Sequence, residues 1–438
     1  MSPVADGHRH DAAWPTTGLL FAASSLLCAG TALWLERHGA FAHIDTLFNA
    51  DAPWYIRGFT DGHGTGTSWG PRSFVHPNLA NVVYPIVSFL SRVSNWLGLG
   101  TGDPTAVRHA IGLGVCPLVA GAETAAIYRL LRPVVPNPAL MAGVHMVFFS
   151  TLLFGAVPES FAFTGLGLAL LFWCLEAERR VGKPATVRLA LVCAFVTSVT
   201  ITNIVLFVIA VGIHRWARAP SGPSIRDTAV AAVSGVMITA AMVGVSVILQ
   251  DGLRDYVPTF EQLHEAPLLR TIASGEAKSA NSLVTQARTY TRRARVDFPE
   301  ALAYALIPPS PAVVMTTRPG DSPVAVTYQG TPPDWRRILT VLVLIGLAGL
   351  AAIRRSDSQP LYLAAFSLLG YSWLFHTIFG AELMLYSKHW TLATTIVLSG
   401  LPAYLGPLPR KMMTAVVLMA IAGNSLYVLL WMVHRLPG

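Results

Sequence analysis

"HPNLANVVYPIVSFLSRVSNWLGL", residues 76–99, is the stretch on which the topology of this chain turns. It is apolar enough to cross a bilayer, yet Pro77, Asn78, Asn81, Pro85, Arg92 and Asn95 interrupt it and partly share one helical face. Such a pattern reads as a helix lying in the headgroup plane. Basic residues elsewhere arbitrate, because short cytoplasmic connections are enriched in Lys and Arg. With 76–99 at the interface, Arg9, Arg129, Arg132, Arg179, Arg180, Lys183, Arg188, Arg215, Arg218, Arg226, Arg354, Arg355, Arg410 and Lys411 all fall on one side. The opposite short connections hold only Lys388. A span at 76–99 would put the N-terminus on the other side from the downstream basic connections.

The rest of the composition agrees. The 438 residues are 53% hydrophobic and 12% charged, where a soluble protein carries about 25% charged residues. Apolar runs fall at 17–35, 109–130, 138–157, 160–177, 186–201, 203–217, 228–250, 338–353, 361–379, 391–408 and 412–434. A membrane-crossing helix needs about 20 such residues. The fold class expected is therefore an all-α, polytopic membrane protein with about eleven transmembrane helices. The pair at 186–217 reads as two short helices meeting at "TSVTITN", since one unbroken helix would overshoot the bilayer. "GAFAH" after the first run has the look of a cleavage site, but that run is longer than a signal peptide's apolar core and reads as an uncleaved first helix.

A net charge of +8 is dispersed between the apolar runs, which favours anionic headgroups and phosphate-bearing substrates over nucleic acid as partners. Cys28, Cys116, Cys174 and Cys193 all lie inside apolar runs and read as small core residues, with no disulfide or zinc framework. The whole chain, 1–438, reads as one membrane domain with two long segments, 36–108 and 251–337, on the non-cytoplasmic face. Both exceed the usual connection of about 4–6 residues, and both carry regular aromatic and aliphatic residues that argue against disorder. The second contains "SLVTQARTYTRRARVDF" (282–298), a helix by its pattern, with Arg288, Arg292 and Arg295 on one face and Arg293 beside them. No nucleotide-binding Gly-rich pattern is present, so any chemistry belongs to this outer face.

"FNADAPWYIRGF", residues 48–59, opens the first long segment. Asp51 ahead of Pro53 is a good helix N-cap, but Asp-x-x-x-Tyr with Trp54 beside Tyr55 also resembles a known motif. It is similar to the "WDG-x-WY" stretch of the glycosylphosphatidylinositol and dolichol-phosphate-mannose-dependent mannosyltransferases, and to the "DE-x-RY" stretch of bacterial 4-amino-arabinose transferases. Both groups belong to the GT-C superfamily of integral-membrane glycosyltransferases. "SFVHPNLANVVYPI" (73–86) stands in the place of their "FFPLYP"-like segment, and "FGAVPESFAF" (154–163) in that of a "YSESLF"-like one. "GAELMLYSKHWTLA" (380–393) resembles the entry to one of their late spans. The chain departs from these motifs at Ala50, where a Trp would stand, and at Ala52, where Gly or Glu would follow the Asp.

The resemblance implies transfer of a sugar from a polyprenyl-phosphate donor to an acceptor hydroxyl at the outer face of the membrane. The Ala- and Arg-rich composition points to a bacterial inner membrane with the site on its periplasmic side. The acceptor would be a glycan, a lipid or a protein. A general base must sit within hydrogen-bond reach of the attacking hydroxyl; Asp51 is the first choice and Asp45 the second. Cations or oriented donors must meet the leaving phosphate. The candidates are Arg57, Arg72 and His76, the Arg288, Arg292 and Arg293 face, and Lys388 with His389. Glu159 and Glu382 are expected to meet the sugar, and Tyr55 and Tyr386 are further candidates for contact with the substrate or its phosphate. Lys388 could instead simply snorkel at a span end. Asn203, in the break between the short spans, is expected to face the same cavity. His376, His389 and Glu382 fit no zinc spacing, so neither a metal nor any other cofactor is expected. Two other classes compete: a lipid or small-anion transporter, disfavoured because the spans hold almost no ionisable groups, and a non-catalytic scaffold of an envelope assembly.

Overall fold

The computed structural model describes residues 13–43, 46–48, 50–61, 79–99, 103–200, 202–218, 225–253, 312–315, 324–327, 335–353, 358–378, 387–400 and 405–436. In chain order the helices begin with α1 (Ala13–Arg37), α2 (Ala52–Asp61), α3 (Leu79–Trp96) and α4 (Pro104–Leu131). Next come α5 (Pro138–Val147), α6 (Phe149–Ala156), α7 (Phe161–Val181), α8 (Thr186–Val199), α9 (Asn203–Trp216) and α10 (Ile225–Leu253). Strands β1 (Ala312–Met315) and β2 (Val324–Thr327) follow, then α11 (Trp335–Ile353), α12 (Gln359–Ile378), α13 (Lys388–Leu398) and α14 (Pro407–Val433).

Each of the eleven apolar runs contains helix. Among the described residues, five helices are long and apolar enough to cross a membrane: Trp14–Arg37, Ala106–Leu131, Phe161–Val181, Ile225–Met242 and Pro407–Val433. The expectation of one helix at 138–157 needs correction. That run is α5 and α6, bent by 63° at Phe148, and the pair passes the same test only when taken together. No Pro or Gly marks the bend; the backbone groups it frees are satisfied elsewhere. The Val147 carbonyl, displaced from the helix ladder, accepts the Ser425 hydroxyl of α14 at 2.6 Å. A broken backbone among apolar helices is tolerated only with such a partner. The break at 186–217 falls where "TSVTITN" places it, between Val199 and Asn203.

The bundle is knit from α1 and α4, which run antiparallel. Arg129 lies over the Trp14 ring, Ser24 bonds Thr124 at 3.0 Å, and His109 pairs with Glu36 at the far end. Their contact is close because Gly121 has no side chain. A Cβ there would collide with the Ser25 hydroxyl and the Phe21 carbonyl. At the end of the bundle marked by Arg129, Glu176 binds Arg179 and Arg180, while Glu178 binds Arg215 and Arg218. The basic ends of α7 and α9 are thereby tied together, as the charge pattern requires. An open cleft of about 360 Å³ lined by Glu178, Lys183 and Arg188 lies here, away from the acids described below.

At the opposite end, α2 and α3 pack on α4 through Tyr55, Phe59, Leu79, Val83 and Val87, a cluster separate from the main core. The i, i+4 spacing of Tyr55 and Phe59, and of Leu79, Val83 and Val87, gives each helix one buried face. Neither helix is among those fit to cross a membrane. Helix α3 also leaves Ile86, Phe89, Leu90 and Trp96 exposed. One departure from the all-α expectation is the antiparallel pair β1–β2, in register Ala312 with Thr327. Strand β2 also bonds the first long segment: Phe48 N–H donates to the Val326 carbonyl, and Val326 N–H to that of Thr46, each at 2.8 Å. The two long segments therefore meet three residues before Asp51.

Candidate active site

Asp51 stands at the N-terminal end of α2, where its carbonyl accepts the Tyr55 N–H at 3.2 Å. Phe48 just before it has φ of +49°, an uncommon and costly conformation for a bulky residue. It is held there by the bond to Val326 and by edge-on packing against Phe149. This strained corner delivers Asp51 to Glu159, which lies in the connection between α6 and α7, 108 residues away in sequence. The Asp51 N–H donates to Glu159 Oε2 at 3.1 Å. Ser160 donates its N–H to Oε1 at 3.0 Å and its hydroxyl at 3.3 Å, and the Tyr55 hydroxyl donates to the same carboxylate. Glu159 is 3% exposed and Tyr55 2%, whereas Asp51 is only partly buried. Burial, and then the negative charge of Asp51, push the Glu159 carboxyl up to about 7. Two acids with one partly exposed and one proton-holding member form a site able to accept a proton and hand it on.

Below this pair is a second cluster that the sequence reading did not anticipate. Lys388 Nζ, at the start of α13, donates to Glu123 Oε2 at 2.6 Å and Oε1 at 2.8 Å, with Thr151 Oγ1 at 3.5 Å. His145 Nε2 meets Glu123 Oε1 at 3.0 Å, and its Nδ1 meets Thr395 Oγ1 at 3.0 Å. The side chains of Lys388, Glu123 and His145 are at most 1% exposed. Gly165 of α7 makes room, since a Cβ there would fall on Glu123 Oε1 and Lys388 Cε. The depth of the cluster follows from α4, whose Cys116 thiol donates to the Glu159 carbonyl. Seven residues at about 1.5 Å each separate Cys116 from Glu123, or about 10 Å.

Two statements from the sequence are thereby corrected. The apolar runs do hold ionisable groups, Glu123, His145 and Glu176 among them, and the first two meet in the interior. Lys388 does not snorkel; it is closed into an ion pair. The available signal was an acid in mid-run in "VAGAETAAIY", the kind of residue that marks function inside a membrane helix. His389 is buried beside the Phe161 ring, 6.2 Å between centroids. Asn203, 1% exposed, donates to Thr164 Oγ1 and the Val196 carbonyl, so it staples the α8–α9 break to α7. Asp45, Arg72, His76, Arg288, Arg292, Arg293, Glu382 and Tyr386, with the side chain of Arg57, lie outside the described residues. Among the described residues no three of His, Cys, Asp or Glu are grouped as a metal site.

No family model matches the sequence, and no curated protein matches it.

Proposed function

We propose that this chain is an integral-membrane glycosyltransferase of the GT-C type, moving a sugar from a polyprenyl-phosphate donor to an acceptor hydroxyl with inversion. In this reading about eleven helical segments lie within a bacterial inner membrane, and the Asp51 end of the bundle faces the periplasm. One observation carries the proposal: Asp51, Tyr55 and Glu159 converge at the end of the bundle opposite its basic ends, where the two long segments also meet. The exposed apolar side chains of α3 suit an interfacial helix, on which an amphipathic donor would rest.

In the reaction, the Asp51 carboxylate takes the proton of the acceptor hydroxyl as its oxygen forms the new bond to the anomeric carbon. The bond from that carbon to the phosphate oxygen breaks, and its electron pair leaves with the polyprenyl phosphate. Arg57, Arg72, His76 and the Arg288, Arg292 and Arg293 face supply the positive charge that this leaving group requires. Glu159 holds the start of α2 and keeps a second carboxyl beside the base, with Tyr55 bridging toward it. No metal enters this scheme.

A transporter is the second reading, favoured by the buried Glu123–Lys388–His145 cluster beside a bent helix. The deciding experiment presents the purified protein in lipid nanodiscs with a panel of polyprenyl-phosphate sugars and follows release of the sugar to acceptor or water. Turnover of at least one donor is expected. A protein that turns over none of them, yet moves labelled polyprenyl phosphate across a liposome bilayer, is a transporter.

A further inference from the structure

The internal ion pair has a cost that stability does not repay. Burying a Lys and a Glu strips both of water, and apolar pairs of similar volume commonly replace such bridges without loss of folding. Its place in the bundle offers another reason for it. Lys388 is the first residue of α13, and Glu123 belongs to α4. Thr151, which also faces Lys388, lies one turn beyond the α5–α6 bend, and the neighbouring Ser150 bonds Thr391 of α13 at 2.6 Å. His145, on the other side of the bend, reaches Thr395 one turn further along α13. Both halves of the bent segment and α4 thus grip the first two turns of α13 through side chains. That end of α13 in turn lies against the first turns of α7, where His389 packs on Phe161 and Lys388 passes Gly165. Phe161 is two residues from Glu159.

We infer that Glu123 and His145 are positioning residues which, through Lys388 and Thr395, fix the start of α13 beneath the Asp51–Glu159 pair and thereby set the geometry of that pair. The inference rests on the glycosyltransferase reading for its kinetic test but not for its structural one. In this arrangement Lys388 is not the cation that meets the donor phosphate; it is consumed by Glu123. Neutral packing in place of the ion pair leaves the bundle folded and lets the start of α13 drift against α7. Displacement of a reacting group by about 1 Å is enough to cost about 100-fold in rate.

The test uses the full chain in nanodiscs and the double variant Glu123→Leu/Lys388→Met, with the reversed pair Glu123→Lys/Lys388→Glu as its companion. The double variant is expected to purify folded, to lose kcat by about tenfold or more with KM changed by less than about threefold, and to exchange amide hydrogens faster at 157–161 and 388–392. The reversed pair is expected to recover part of the lost kcat and of the lost protection. Unchanged kcat, a loss confined to KM, or unchanged exchange in the double variant overturns the proposal. A double variant that cannot fold overturns it too, since the ion pair would then be a folding element. Should the parent protein turn over no donor, the glycosyltransferase reading fails alone, and hydrogen exchange still decides whether the ion pair positions α13.

Discussion

Glu159 and Glu123 are both buried carboxylates, and their surroundings could hardly differ more. Glu123 has a cation on both oxygens and an imidazole on one of them. Glu159 is met by two backbone N–H groups and two hydroxyls, and its nearest charged influence is another acid, Asp51. The first carboxylate is closed: its charge is answered, its geometry fixed, and nothing remains for a ligand to supply. The second is open, held in place but with its charge unanswered by any described side chain. Perturbed, unmatched acids gather where chemistry is done, while matched internal pairs more often hold a structure in place. The two carboxylates lie about 10 Å apart along α4, and in the proposed reading the outer one serves the reaction and the inner one holds the bundle.

Removing the cation breaks this contrast most severely. Lys388→Met strands Glu123 without its counter-charge, and the expected loss is about 3–5 kcal/mol of stability, read as a lowered thermal unfolding midpoint. A midpoint equal to the parent's would show that Glu123 was never closed.

Acid titration sharpens the other half of the comparison. The folded chain holds a proton on Glu159 up to about 7, whereas a carboxyl in water releases it near its ordinary value of 4.5. Between those values the folded state binds more protons than the unfolded one, so stability is greatest below the window and falls as pH rises through it. The fall is at most on the order of 3 kcal/mol. Unfolding midpoints at pH 5 and pH 8 should differ in the parent and converge in Glu159→Gln.

A finer probe is Gly165→Ala, which pushes a methyl group between Glu123 and Lys388 and is expected to cost about 1–3 kcal/mol. Gly114→Ala, in open space on the same α4 helix as Glu123, is the matched control. Equal midpoints for the two variants would mean that the inner pair is looser than its distances imply. The smallest effect is expected from a cysteine at Gly64, which leaves stability unchanged and reports sidedness. An impermeant reagent should label it from outside intact cells, and labelling only after lysis would reverse the orientation proposed for the Asp51 end.

Much of the helical architecture was legible because length and apolarity are strong signals, and each of the eleven runs contains helix. The α8–α9 break was legible too, since Thr, Ser and Asn crowd it. The α5–α6 bend was not: "VHMVFFST" (144–151) has no helix breaker, and the partner of its freed carbonyl, Ser425, lies 278 residues away. At the site, Asp51, Tyr55 and Glu159 could be named from the sequence, but their mutual bonds could not, because those depend on how α2 docks against the α6–α7 connection. The inner cluster escaped for a related reason. One Glu and one His, 22 positions apart inside apolar runs, barely change the average hydropathy of either, and Lys388 at a helix start passes for an ordinary end residue. The strands escaped because four-residue pieces in a long connection carry little periodicity of their own.

The most direct measurement compares Asp51→Asn with the parent protein in nanodiscs, determining donor affinity and single-turnover glycosyl transfer on the same preparations. The account predicts that transfer falls by about 100-fold or more while the Kd for the polyprenyl-phosphate sugar stays within about threefold. Transfer at the parent's rate by Asp51→Asn would contradict it.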